Sequence, residues 1–108
     1  MTMKLLPLMF AAALIAPLAH AADPVAGAGK AKEVCIACHG LDGNSPSPDF
    51  PRLAGQHRDY LEKALRDYKS GARKNPIMAG IAAALSRQDI ENVAAHYSAQ
   101  AAALATRY

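Results

Sequence analysis

Cys35 and Cys38 are the only cysteines in this 108-residue chain, they stand three residues apart, and His39 follows directly. Two sulfurs and an imidazole packed this tightly must bond to each other or converge on something else, and the rest of the chain has to fold around that choice. The compartment is the first guide. Met1–Ala21, "MTMKLLPLMFAAALIAPLAHA", has a basic Lys4, an apolar run from Leu5 to Leu18, and Ala19-His20-Ala21 in the small-x-small pattern of a signal-peptidase site. It reads as a cleaved secretory signal, with Ala22 as the new N-terminus. An uncleaved membrane anchor is the alternative, but the run is shorter than the roughly 20 residues a spanning helix needs, and Pro7 and Pro17 interrupt it. The expected product is exported, with no stable membrane insertion after cleavage.

Removing the leader leaves 87 residues, few enough that a disulfide, metal or cofactor is expected to supplement the core. Loss of Lys4 lowers the formal charge from +3 to +2, a balance that argues neither for nucleic acid nor for an acidic partner. A thioredoxin-like redox pair would place Cys-x-x-Cys at a helix start within a βαβ pattern, and no segment alternates like a strand. Structural zinc needs four ligands, whereas His57 and His96, the other histidines of residues 22–108, stand alone and far apart. Cys-x-x-Cys-His is, however, the signature of covalent haem attachment. Two thiols about one helical turn apart can reach the two vinyl groups on one porphyrin edge, while the next residue brings its imidazole under the iron.

Helical segments flank one long loop. Pro24 to Cys38 is rich in alanine and lysine, with proline in the first turn, and is expected to form one helix ending on the motif. Gly40 to Gly55 contains too many glycines and prolines for a helix or a central strand, and a constrained loop of this length in a small domain is expected to wrap something. From His57 to Ser70, Tyr60, Leu61, Ala64, Leu65 and Tyr68 fall on one helical face that ends at Gly71. On the other face, Asp59 with Lys63 and Glu62 with Arg66 are i,i+4 pairs worth about 0.2–0.5 kcal/mol each. After a turn at Asn75-Pro76 and a short helical piece, Ser86 caps a last helix whose apolar face is Ile90, Val93, Ala94 and Tyr97. That helix is expected to continue into the alanine-rich C-terminal residues.

The motifs CxxCHG, PxLAGQ, NxIM and LSxxDIxxVA succeed one another from Val34 to Gln100. In that combination the sequence resembles the bacterial class I c-type cytochromes, both the small monohaem type and each half of the dihaem type. The resemblance implies an all-α small cytochrome c fold, three to five helices wrapped around one covalently bound haem, over residues 22–108. It makes Cys35 and Cys38 the thioether anchors and His39 one axial ligand to iron. Met1, Met3 and Met9 leave with the signal, so Met78 is the one methionine of residues 22–108, and it stands in "NPIM" where the family places its sulfur ligand. Bis-His ligation through His57 or His96 is the competing arrangement.

By the same resemblance, the backbone carbonyl of Pro51 accepts a hydrogen bond from His39, and Gly27 lies where the first and last helices cross. His96 occupies the position where the family carries an aromatic partner for that crossing, which puts the contact in doubt. Leu53, Tyr60, Leu61, Leu65, Ile77, Ile81 and Leu85 are candidates for the haem crevice wall, with Arg52 or Gln56 available to a propionate. The function implied is a periplasmic single-electron carrier rather than an enzyme, with haem c and its iron as cofactor and no catalytic residues. The alternative is a haem-bearing electron-transfer subunit of a larger oxidoreductase complex. A monomer is expected, exchanging electrons with redox proteins such as membrane-bound reductases or terminal oxidases. Lys69, Arg73 and Lys74 form a basic cluster that could contribute to docking.

Overall fold

The computed structural model describes residues 1–13 and 21–103. Residues 1–13 are exposed and irregular, and the expected cleavage motif at Ala19-His20 lies outside the described residues. No described helix is long and apolar enough to cross a membrane. Five helices follow: α1 (Pro24–Val34), α2 (Ile36–His39), α3 (Arg58–Ser70), α4 (Pro76–Ala83) and α5 (Arg87–Ser98). No strand occurs among the described residues.

Three of the five helices, α1, α4 and α5, start at a side-chain cap that the sequence provides. The Asp23 carboxylate accepts from the N–H groups of Val25 and Ala26, with Pro24 in the first turn. Asn75 does the same for α4 through Ile77 and Met78. Ser86 and Asp89 close a reciprocal capping box on α5, each side chain accepting from the other's backbone N–H at 3.0 Å. Gly71, in the left-handed region at φ 86°, ends α3. The single helix expected from Pro24 to Cys38 is in fact two, because the ladder is interrupted at Cys35, where φ opens to −112°. The last helix stops at Ser98 rather than running into the alanine-rich end. Of the expected surface pairs, Glu62 meets Arg66 at 3.8 Å, while Lys63 takes Asp67 instead of Asp59.

α1 packs across α5, and α3 lies against both α5 and α4. The α1–α5 crossing turns on Gly27: a Cβ built there would stand 1.9 Å from the Asn92 carbonyl oxygen, so only glycine lets the two backbones approach this closely. The atoms nearest that Cβ belong to Asn92 and Val93, and His96 is buried with its Nε2 2.7 Å from the Leu41 carbonyl. The main core cluster is small, made of Ala31, Leu61, Val93, Ala94 and Tyr97, with Cys35, Leu41, Leu53 and Leu65 packed against it. The expected apolar face of α5 is fully used, since Ile90, Val93, Ala94 and Tyr97 are all buried. The corresponding face of α3 is not, as only Leu61 is buried and Tyr60 remains 49% exposed.

Candidate haem site

The unused face of α3 borders a cavity of about 330 Å³. Tyr60, Leu61, Ala64, Leu65 and Tyr68 line it together, and Ile77, Met78 and Ile81 come from α4. Cys35, Cys38 and His39 reach it from the turn between α1 and α2 and from α2 itself. The loop supplies Phe50, Pro51, Arg52 and Leu53, and Gln56 and Leu85 complete the set expected from sequence. His57 and His96 are absent from the lining.

His39 is placed by both its backbone and its ring. Gly40, at φ 76° and ψ 160°, terminates α2 in a region of backbone space open essentially to glycine alone, so the chain turns away directly after the histidine. The ring is buried, and its Nδ1 donates to the Pro51 carbonyl at 2.8 Å. A bond of that kind fixes the tautomer, leaving Nε2 with a lone pair, and raises its basicity. Phe50 meets the ring edge-on at 6.4 Å between centroids.

Cys35 and Cys38 are unbridged and half-buried. Burial pushes the Cys35 thiol up to about 11, against the opposing effect of a hydrogen bond with Tyr97 and with a smaller upward push from Cys38. A thiol held neutral in this way is unlike the low-pKa thiolate of a disulfide-exchange pair. Nor do three or more His, Cys, Asp or Glu side chains converge to hold a bare metal ion among the described residues. The donor set suits a flat apolar group: two thiols at its edge, one oriented imidazole, one thioether and a largely hydrocarbon wall.

Several contributors were not visible in sequence periodicity. The hydroxyl of Tyr97 donates to the Gly40 carbonyl at 2.9 Å, tying α5 to the end of the motif. Arg73 stacks 4.9 Å from the centre of the Tyr68 ring and donates to the Tyr60 hydroxyl at 3.2 Å, holding both rings at the cavity rim. The expected basic cluster is thus partly committed, since Lys69 also donates to the Leu85 carbonyl. Arg52 donates to the Ala103 carbonyl at 2.7 Å while lining the cavity.

Residues 25–98 match the family model described as Cytochrome c. The chain belongs to the cytochrome c family. It is 52% identical over 84 residues to cytochrome c4 of Pseudomonas aeruginosa, covering 77% of this chain and 41% of that protein. Cytochrome c-554(548) of Halomonas halodenitrificans is 42% identical over 83 residues, covering 74% of this chain and 99% of that one. The crystal structure of reduced recombinant cytochrome c4 from Pseudomonas stutzeri matches with a TM-score of 0.72 at 47% identity, over 78% of this chain and 48% of that chain. The chain therefore spans less than half the length of these cytochrome c4 relatives. The all-α cytochrome c fold expected from the motifs is the fold observed. Membership implies covalently bound haem c with its iron, and the cavity and its donors fit that group.

Proposed function

We propose that this cytochrome is a single-electron carrier with one haem c, anchored as thioethers at Cys35 and Cys38 and ligated axially by His39 and Met78. What supports the reading most is that one cavity gathers those four side chains and neither competing histidine. Bound there, haem supplies a reversible one-electron iron couple. His39, oriented by Pro51, offers a basic nitrogen. The backbone N–H of Met78 is held in the first turn of α4 by the Asn75 cap, and the sulfur of that residue would close the position that oxygen or peroxide needs; this favours electron transfer over catalysis. The apolar wall would exclude water and help hold the potential at the value set by the ligands.

The setting follows from the leader. Met1–Ala21 would be removed on export, leaving a periplasmic domain of residues 22–108 that works as a monomer between redox proteins, such as membrane-bound reductases or terminal oxidases. The optical spectrum of the purified protein tests the centre. Covalent attachment gives c-type bands that survive acid-acetone extraction, a haemochrome assay gives one haem per chain, and Met78 ligation gives a weak far-red sulfur-to-iron band in the ferric state. Met78→Ala is expected to abolish that band and His96→Ala to leave it. A band that survives Met78→Ala would overturn the ligand assignment. A likeness to thiosulfate dehydrogenase (TsdBA) from Marichromatium purpuratum, with a TM-score of 0.70 at 30% identity over 20% of that chain, supports a second reading, a fixed haem subunit of a larger oxidoreductase. A stoichiometric partner co-purifying in mild detergent would favour that reading.

A further inference from the structure

His39 and Pro51 belong to different segments, so the 2.8 Å bond between them depends on whatever ties the loop to the end of α2. We infer that Ser45 is that tie and acts as a positioning residue for the axial histidine, an inference that rests on the ligand role of His39 proposed above. The Ser45 N–H donates to the His39 carbonyl at 3.0 Å. Its Oγ lies 2.8 Å from the Phe50 carbonyl, 2.8 Å from the Ser47 carbonyl and 3.4 Å from the Cys38 carbonyl. A hydroxyl has one proton to donate, so these three carbonyls, one at the motif and two on the loop, are drawn around a single donor.

The Phe50 carbonyl belongs to the peptide plane that leads into Pro51. The proline ring holds φ near about −65°, so once that plane is set, only ψ of Pro51 steers its own carbonyl. Downstream, the Gly43 carbonyl accepts from Leu53 N–H at 2.7 Å and from Ala54 N–H at 3.1 Å, which pins the other flank. With both flanks fixed, the Pro51 oxygen is directed at His39. The backbone of Ser45 points the same way. At φ 53° it is the one non-glycine residue with positive φ among the described residues, and its neighbours in this region, Gly40 and Gly43, are glycines. The left-handed conformation is unfavourable for a residue with a Cβ. Glycine would avoid that cost but would lose the hydroxyl.

A firm Nδ1–H···O bond makes the imidazole a stronger donor and favours ferric iron; weakening it shifts the couple toward the reduced form. Ser45→Ala removes the hydroxyl and keeps the strained backbone, whereas Ser45→Gly removes both. In haem-loaded protein with ¹⁵N-histidine, both variants are expected to speed solvent exchange of the His39 Nδ1–H by about three- to tenfold, as for loss of one supporting hydrogen bond. Both should also raise the reduced-to-oxidised ratio at a fixed ambient potential. Exchange and ratio unchanged in Ser45→Gly, with only Ser45→Ala less stable, would overturn the inference and reduce Ser45 to loop geometry. His39 ring protons without haem-induced shifts in the unmutated protein would overturn the ligand role itself, an outcome visible before any variant is compared.

Discussion

The side chain of Asn75 accepts from the backbone N–H of Ile77 at 3.0 Å and of Met78 at 3.1 Å, so the cap of α4 holds the very residue proposed to ligate iron. Replacing such a cap with alanine removes about 1 kcal/mol from the helix end. In Asn75→Ala that loss falls on the first turn of α4. The ferric far-red band is therefore expected to disappear on heating several degrees before the far-UV circular dichroism changes, with Asn75→Asp close to the parent. A parallel shift of both signals would show that the cap supports the whole fold and not Met78 in particular. At this scale the site was half legible in the sequence. Cys35, Cys38, His39 and Met78 are chemically rare residues, and rarity shows in a string of letters. Ser45 and Tyr97 are common residues whose importance lies in which carbonyls they reach, and their partners are up to 57 positions away.

α1 contains two glycines with opposite roles. Gly27 faces the Asn92 carbonyl, where a Cβ has no room, while Gly29 has nothing within 4 Å of a built Cβ. Gly27→Ala is expected to destabilise the haem-loaded protein by about 3 kcal/mol through overpacking. Gly29→Ala should stabilise it by about 0.5–1 kcal/mol through helix propensity, both read by chemical denaturation. At the other side of the crossing, the backbone N–H of Ser86 holds the Asp89 carboxyl below its ordinary value, with burial opposing and Lys30 and Lys69 assisting. A depressed folded pKa adds stability above the unfolded carboxylate value of about 3.9, and that contribution is lost as pH falls through the lower folded value. Asp89→Asn should accordingly be less stable than the parent near neutrality, with the difference shrinking below about pH 4. Helix existence was legible here because caps and apolar spacing are local. The break at Cys35 was not, since alanine and lysine propensity says nothing of one residue's φ opening to −112°.

Across the whole molecule, the apolar face of α3 is the clearest sign that the polypeptide is incomplete by itself. Sequence spacing identified that face, but an ordinary core would have buried it; here most of it borders a cavity of about 330 Å³. Covering that face would remove apolar surface from water, a gain of about 25 cal/mol per Å² that weighs heavily in a small domain whose whole stability is about 5–15 kcal/mol. The haem is then as much a folding element as any helix, and the small buried set around Tyr97 cannot replace it. A Cys35→Ala, Cys38→Ala variant, which cannot attach haem, should retain helical signal from its well-capped segments. It should lose near-ultraviolet dichroism, cooperative thermal unfolding and slow amide exchange in α3 and α4. Protection should survive longest where α1 crosses α5, because that contact is made by backbone against backbone at Gly27 and Asn92, neither of which lines the cavity. Cooperative unfolding of the haem-free variant near the temperature of the loaded protein would show that the polypeptide closes the cavity unaided.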